Sequence, residues 1–243
     1  MVPDLARAWV AGWVVSRRTA PPVAVPWGLW IEVGLPDHVA RHVLPETDER
    51  TVRAAAAAVT VPGTWLKAFR APRSVAGWLG PGWVADDPAF LMAADLRRAA
   101  VRAPVRAPEG YRLSTATHDG VALVRVLAAD GATAAHGQVA TVAGTAVVDQ
   151  VGTEPAHRRR GLGALVMRAL TDVALEDGAG TGVLGATVQG RALYESLGWS
   201  VRAPLAGFAY RPAGAGTAAA GPSVAPAGAR VAGVGPSGRT VRP

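Results

Sequence analysis

Residues 155–164 read Pro155-Ala156-His157-Arg158-Arg159-Arg160-Gly161-Leu162-Gly163-Ala164, and the hydrophobic period changes across them. Before them, Thr145–Val151 alternates apolar and polar positions as a half-buried strand does. After them, Leu162, Leu165, Val166, Ala169, Leu170 and Val173 fall on one face of a helix. A strand, a glycine-bearing loop and a helix start make a phosphate cradle. The first N–H groups of a helix lack internal acceptors, and its dipole is positive there. Gly161 and Gly163 keep a Cβ out of the way of a phosphate. Arg158, Arg159 and Arg160 add charge-assisted donors. The arginines alone would sooner suit a solvated basic turn, so both readings stand at this point.

Working outward, the helix should stop near Asp177-Gly178, and Gly182–Ala186 is a short apolar strand of the buried kind. A second helix is expected over Gly190–Leu197, ending at Gly198, with a last strand from Trp199 to Tyr210. Upstream, Arg102–Pro108 reads as an extended linker. Tyr111–Thr117, Val121–Ala128, His136–Val142 and Thr145–Val151 follow as strands. The turns His118-Asp119-Gly120, Asp130-Gly131 and Ala143-Gly144 separate them as a meander. The order is four strands, helix, strand, helix, strand.

Arg158, Gly161 and Gly163 satisfy a Q/R-x-x-G-x-G/A pattern, and Gly190-Arg191-Ala192-Leu193-Tyr194-Glu195-Ser196-Leu197-Gly198-Trp199 follows at a fixed distance. Together these motifs resemble the GNAT superfamily of acyl-CoA-dependent N-acetyltransferases, over about Val147–Trp199. The resemblance implies an α/β fold: a GNAT-like mixed, mostly antiparallel sheet with flanking helices, preceded here by a small α/β domain. It implies acetyl-CoA as co-substrate and no metal. The fourth and fifth strands would splay, with the main chain of Val151 and Thr153 on the pantetheine arm. The loop from Arg158 through Arg159, Arg160, Gly161, Leu162 and Gly163 to Ala164 would hold the pyrophosphate. Tyr194 would protonate the leaving thiolate. Thr187 stands where many members have asparagine, and its hydroxyl could serve instead. Asp149 is the candidate base for the attacking amine, ahead of Glu154 and Glu195. A dinucleotide fold would need a third glycine where Val166 stands.

The division expected is 1–105, an N-terminal α/β domain of unclear role; 106–211, the acetyltransferase domain; and 212–243, a disordered tail rich in Ala, Gly, Pro and Ser. Leu5, Trp9 and Trp13 predict an amphipathic helix packed on the body. Leu29–Val33, Trp65–Phe69 and Phe90–Leu96 read as strands, and Thr51–Val59 and Ser74–Leu79 as helices. Seven of the eight tryptophans lie in this region, and core is the plainer role for large aromatics in a small domain. The region either completes an acceptor pocket or is a degenerate copy of the same fold. His38 and His42 have helical metal-ligand spacing, but the alternation around them suggests a strand.

There is no cysteine, which removes disulfides, thiolate nucleophiles and Cys-based metal sites. No G-x-S-x-G elbow supports a serine hydrolase. The net charge is +7, of which Arg230, Arg239 and Arg242 in the tail supply 3, leaving 4 on residues 1–211. That balance suits an anionic small ligand. The expected partner is a small-molecule or peptide amine, with no nucleic acid and no membrane; a homodimer stays open, and the expected location is cytoplasmic. The rival functions are a silent acyl-CoA-binding regulator and a nucleic-acid-binding module.

Overall fold

The computed structural model describes residues 1–99 and 106–213. Most of the linker and the tail from residue 214 lie outside the described residues. The chain opens with α1 (Val2–Arg17), whose buried Ala6, Trp9, Val10, Trp13 and Val14 repeat at i, i+3, i+4, i+7 and i+8. It ends at Arg18, in the left-handed conformation at φ 53°, whose N–H returns to the last carbonyls.

Strands β1 (Val23–Val25), β2 (Gly28–Leu35) and β3 (His38–Leu44) form an antiparallel meander. Helix α2 (Glu49–Ala58) crosses over to β4 (Thr64–Ala68), which lies parallel to β3. Then come α3 (Pro72–Ala76), β5 (Trp83–Ala85), β6 (Ala89–Asp95) and α4 (Leu96–Ala99). The second half repeats the pattern. Strands β7 (Tyr111–His118), β8 (Val121–Ala128), β9 (Thr133–Val142) and β10 (Thr145–Thr153) form a meander. Helix α5 (Leu162–Glu176) crosses to β11 (Thr181–Thr187), parallel to β10, and α6 (Val188–Ser196) leads to β12 (Ser200–Tyr210).

The last strands are exchanged between the halves. The sheet order is β1-β2-β3-β4-β12-β6-β11-β10-β9-β8-β7. β6 therefore pairs antiparallel with β11, β12 pairs antiparallel with β4, and β6 and β12 pair with each other at the centre. Matching β3-α2-β4-β6 with β10-α5-β11-β12 preserves every one of these pairings, so the halves are related as two copies of one topology. The split expected at residue 105 divides the chain and not the sheet.

Three cores follow. α5 and α6 cover one face of the second half through Leu162, Val166, Leu170, Tyr194 and Leu197. α2 and α3 cover the first half through Val52, Ala55 and Val75. α1 lies on the opposite face of the middle of the sheet. There Trp9, Val10 and Trp13 share a core with Ile31 and Val43 of the first half and with Val147 and Val183 of the second. Fully burying one such aliphatic side chain contributes roughly 1.5–3 kcal/mol. Of the seven tryptophans of the first half, Trp9, Trp13 and Trp65 are buried, whereas Trp27, Trp30, Trp78 and Trp83 are half-buried. Among the described residues no helix is long and apolar enough to cross a membrane.

The seating of α1 rests on Gly12, where a Cβ would run into the Val147 side chain and approach Ala140 O at 3.4 Å. Helix propensity alone says that Gly12→Val stabilises, because glycine is the poorer helix former. The packing says the reverse, since overfilling a tight contact costs about 1–3 kcal/mol. We expect Gly12→Val to lower the melting temperature by several degrees; a rise would show that α1 does not bear on β10.

Candidate active site

Strand β10 follows β11 only from Thr145↔Thr181 to Val148↔Leu184. Beyond that rung β11 stays with β6 as far as Thr187↔Ala89, while β10 stays with β9 as far as Thr153↔Ala135. A register shift between Asp149 and Gly152, with Gln150 at φ 53°, turns β10 away. The strands thus part, leaving a wedge between Asp149–Thr153 and residues 185–187. Val151 and Thr153 lie along one side of it.

The loop expected to hold phosphate stands at the start of α5. Arg159 at φ 62° and Gly161 at φ 77° curl the backbone in the way that makes anion-binding concavities. Gly161 is the N-cap of α5 and supplies no side-chain cap, and the first turn carries no acid. Its leading N–H groups therefore remain for a ligand. Arg158, Arg159, Arg160 and Gly161 are exposed, whereas Leu162 is buried and anchors the helix. Arg158 Nε donates to Thr153 O at 3.2 Å, and Arg160 Nη1 to the Tyr111 hydroxyl at 3.0 Å. A Cβ on Gly163 would meet Leu193 Cδ2 at 3.0 Å and Thr153 Oγ1 at 3.7 Å, so this glycine also lets α5 sit close to α6. Ala164 is half-buried beside it.

Tyr194 sits on α6 at 8% exposure, its ring 6.4 Å from that of Trp199. Gly190 makes room for it, since a Cβ there would stand 3.0 Å from Tyr194 Cε2. Burial, and then the charge of Asp149, push the phenol up to about 12, so it keeps its proton at neutral pH. Thr187 caps α6, its hydroxyl accepting from Gly190 N–H at 3.0 Å. The hydroxyl that could have replaced an asparagine is thus already an acceptor within the fold.

Asp149, the candidate base, is committed elsewhere. Arg17 at the end of α1 meets its carboxylate through Nε and, at 3.0 Å, through Nη2. Ser16 Oγ donates to it at 3.2 Å, and Gln138 Nε2 reaches Ser16 O and Oγ at 2.7 Å each. The Asp149 oxygens are thus occupied by hydrogen bonds from α1. Glu195 pairs with Arg191 on the surface of α6. His136, which no motif signals, shares the α1 face with Gln138. Its ring lies over Gly152, where a Cβ would fall 2.8 Å from Cε1. Burial lowers its pKa, so it is a neutral imidazole beside the wedge.

A second group of buried charges adjoins Arg17. Arg41 on β3 is 3% exposed, stacks 4.1 Å from the Trp13 ring centroid and donates from Nε to His38 Nε2 at 3.2 Å. Lys67 on β4, equally buried, pairs with Asp86 at 2.8 Å. Desolvation pulls Arg41 down to about 9 and Lys67 to about 8. His38 and His42, on β3, are lowered to about 2 and about 4, chiefly by burial. Trp27 Nε1 donates to His42 Nδ1 at 3.0 Å, which requires that nitrogen unprotonated.

The first half has no equivalent of the phosphate loop. Between β3 and α2 it runs Pro45-Glu46-Thr47-Asp48, without a glycine. Asp48 caps α2 by accepting from Thr51 N–H at 2.7 Å, and Thr51 Oγ1 accepts the reciprocal bond.

The buried histidines fix a pH dependence. Unfolded, both titrate near 6.5; folded, they resist protonation down to about 4 and about 2. Their folded values are depressed, so the stability they contribute is complete above pH 6.5 and is lost as pH falls from there through 4. Denaturant midpoints should therefore fall over that window, and His42→Gln, which keeps an acceptor for Trp27 without titrating, should flatten the fall. An unchanged slope in the variant would contradict the neutral assignment.

With this geometry in view, known proteins were compared. The model of the Acetyltransferase (GNAT) family matches residues 91–199. A GCN5-related N-acetyltransferase from Kribbella flavida superposes with a TM-score of 0.62 at 20% identity, covering 88% of this chain and 96% of that one. For a putative GNAT acetyltransferase from Novosphingobium aromaticivorans the TM-score is 0.52 at 19% identity, covering 85% and 96%. A tandem GNAT protein from the clavulanic acid biosynthesis pathway gives 0.51 at 16% identity, covering 70% and 69%. No curated protein matches the sequence. These likenesses carry the fold. Residues 91–199 match the Acetyltransferase (GNAT) family and lie in a sheet that the first half of the chain completes.

Proposed function

We propose that the protein transfers an acetyl group from acetyl-CoA to an amine by direct attack within a ternary complex. The observation that carries this reading is the parting of β10 and β11 after Val148–Leu184, with the uncapped start of α5 following β10 and Tyr194 on the helix that follows β11. The pantetheine arm takes the wedge, bonding the main chain of Val151 and Thr153. The pyrophosphate takes the N–H groups from Arg159 to Ala164, with Arg159 as the flexible cation.

The amine nitrogen attacks the thioester carbonyl, the C–S bond breaks, and the electron pair leaves on sulfur. A phenol near 12 is a weaker acid than a free thiol near 8.5, so complete proton transfer is uphill at first. What Tyr194 supplies in the transition state is a hydrogen bond to the developing thiolate. The proton follows once the same burial raises the thiolate's own affinity for it. His136 is the neutral base on the acceptor face, whereas Asp149 positions Arg17.

Phenylalanine at 194 keeps the ring and removes the donor. We expect Tyr194→Phe to lower kcat by roughly ten- to a thousandfold while acetyl-CoA affinity changes little. Wild-type turnover with chemistry rate-limiting would take the role from Tyr194. Calorimetric titration should also give one acetyl-CoA per chain, since the first half offers acids and a capped helix where a pyrophosphate would bind. Two equivalent sites per chain would contradict the assignment of the loop.

A further inference from the structure

Of the buried cations around Trp13 and Trp65, each has a carboxylate except one. Arg17 is held by Asp149 and Lys67 by Asp86. Arg41 lies between these pairs with no carboxylate in salt-bridge range among the described residues. It makes one side-chain hydrogen bond, from Nε to the neutral His38 ring. Its terminal nitrogens make no hydrogen bond among the described residues and are not fully sealed from solvent, so a ligand can reach them. A guanidinium withdrawn from water without an anion is unfavourable, and the stack on Trp13 offsets only part of that.

Its placement says what would complete it. Arg41 comes from the first half, and Trp13 and Arg17 from the last two turns of α1. Trp13 contacts both guanidinium groups, at 4.1 Å from Arg41 and 5.8 Å from Arg17. Arg17 in turn grips Asp149, the first residue past the last β10–β11 rung. Trp13 and Arg17 thus connect the fork to Asp149 at the start of the wedge, on the face that α1 covers. A planar fork with two open edges matches a carboxylate bidentately.

Building on the acyltransfer reading, we infer that Arg41 receives a carboxylate of the acceptor, so that the substrate is an amine that also carries a carboxylate. A free amino acid and a short peptide share that chemistry. They differ in how far the carboxylate lies from the amine.

The test uses matched acceptors with the full chain: L-amino acids, the amines left by their decarboxylation, and dipeptides bearing the same first residue. Thiol release from acetyl-CoA gives kcat/KM, and the melting temperature with each acceptor gives binding independent of turnover. We expect carboxylate-bearing acceptors to be favoured at least tenfold over the decarboxylated amines. That preference, and the rise in melting temperature, should vanish in Arg41→Met, with acetyl-CoA affinity retained. Arg41→Lys should keep part of the preference, because it holds the charge and loses the fork, and it serves should Arg41→Met not fold. Amino acid against dipeptide then identifies the source of the carboxylate.

Decarboxylated amines turned over as well as their parents, or a preference surviving in both variants, would overturn the role of Arg41 and leave acyl transfer standing. Amino acids that raise the wild-type melting temperature but not that of Arg41→Met, without thiol release from any acceptor, would keep the carboxylate site and overturn acyl transfer. Neither thiol release nor a rise in melting temperature would sink both. Should Arg41 serve only to meet the negative end of α1, its removal would destabilise the fold and no carboxylate would shift the wild type, which also overturns the inference.

Discussion

At the centre of the sheet β6 and β12 run antiparallel, and each also supplies the outer neighbour that the other half's parallel strand requires. A strand with one unpaired edge exposes a row of N–H and C=O groups, which is costly inside a fold. β4 and β11 would each have such an edge if the halves were closed on themselves without their last strand. Exchange removes both edges at once and makes folding of either half depend on the other. It also produces a wide, continuous face on which a single helix, α1, can be laid across both copies. The face under α1 is consequently built from the two halves together, and Arg41 of one and Arg17, held by Asp149 of the other, both stack on Trp13.

The Asp149–Arg17 pair registers that helix on that face. Both side chains are largely withdrawn from water, at 12% and 17% exposure. Such a pair contributes little net stability compared with apolar residues, but removing one partner is costly, on the order of 3–5 kcal/mol. Its value is positional. The two charges meet only when the C-terminal turn of α1 lies over the first residue past the last β10–β11 rung, and Ser16 and Gln138 tighten the same register. Geometry at the wedge and seating of α1 are therefore one device, and the carboxylate is spent on it.

What the sequence made legible was what is local. The loop at 158–164, the apolar stripe of α5, the cap at Asp48 and the Leu193-Tyr194 pair each declare themselves within one or two turns of chain. Phe90–Leu96 declared itself as a strand by its apolar run, yet nothing in that run says which half receives it. The partner of Asp149 is 132 residues away, and no period in the sequence connects the two. His136 and Arg41 were illegible for the same reason: an isolated histidine or arginine on a strand acquires meaning only from what is folded against it. Of the alternatives left open for the first half, the structure supports a second copy by topology, since β3-α2-β4-β6 matches β10-α5-β11-β12.

The two helix starts show how copies of one topology diverge in chemistry. α2 begins with Asp48, whose carboxylate takes the Thr51 N–H, and Glu49 adds a second negative charge to the first turn. That is the arrangement that best stabilises a helix standing alone, worth about 1 kcal/mol for the cap and some tenths more for the dipole. It also closes the end to an anion, because the leading N–H is occupied and the local field is negative. α5 begins instead with Gly161, which caps nothing, after a residue run that includes Arg159 in a left-handed conformation. A non-glycine residue so placed costs on the order of 1–3 kcal/mol, and the absent cap adds to the cost. Leucines 162, 165 and 170 hold α5 by burial, so the helix tolerates both. An end left uncapped, strained and cationic on a well-anchored helix is suited to an anion. A helix selected for stability alone would look like α2.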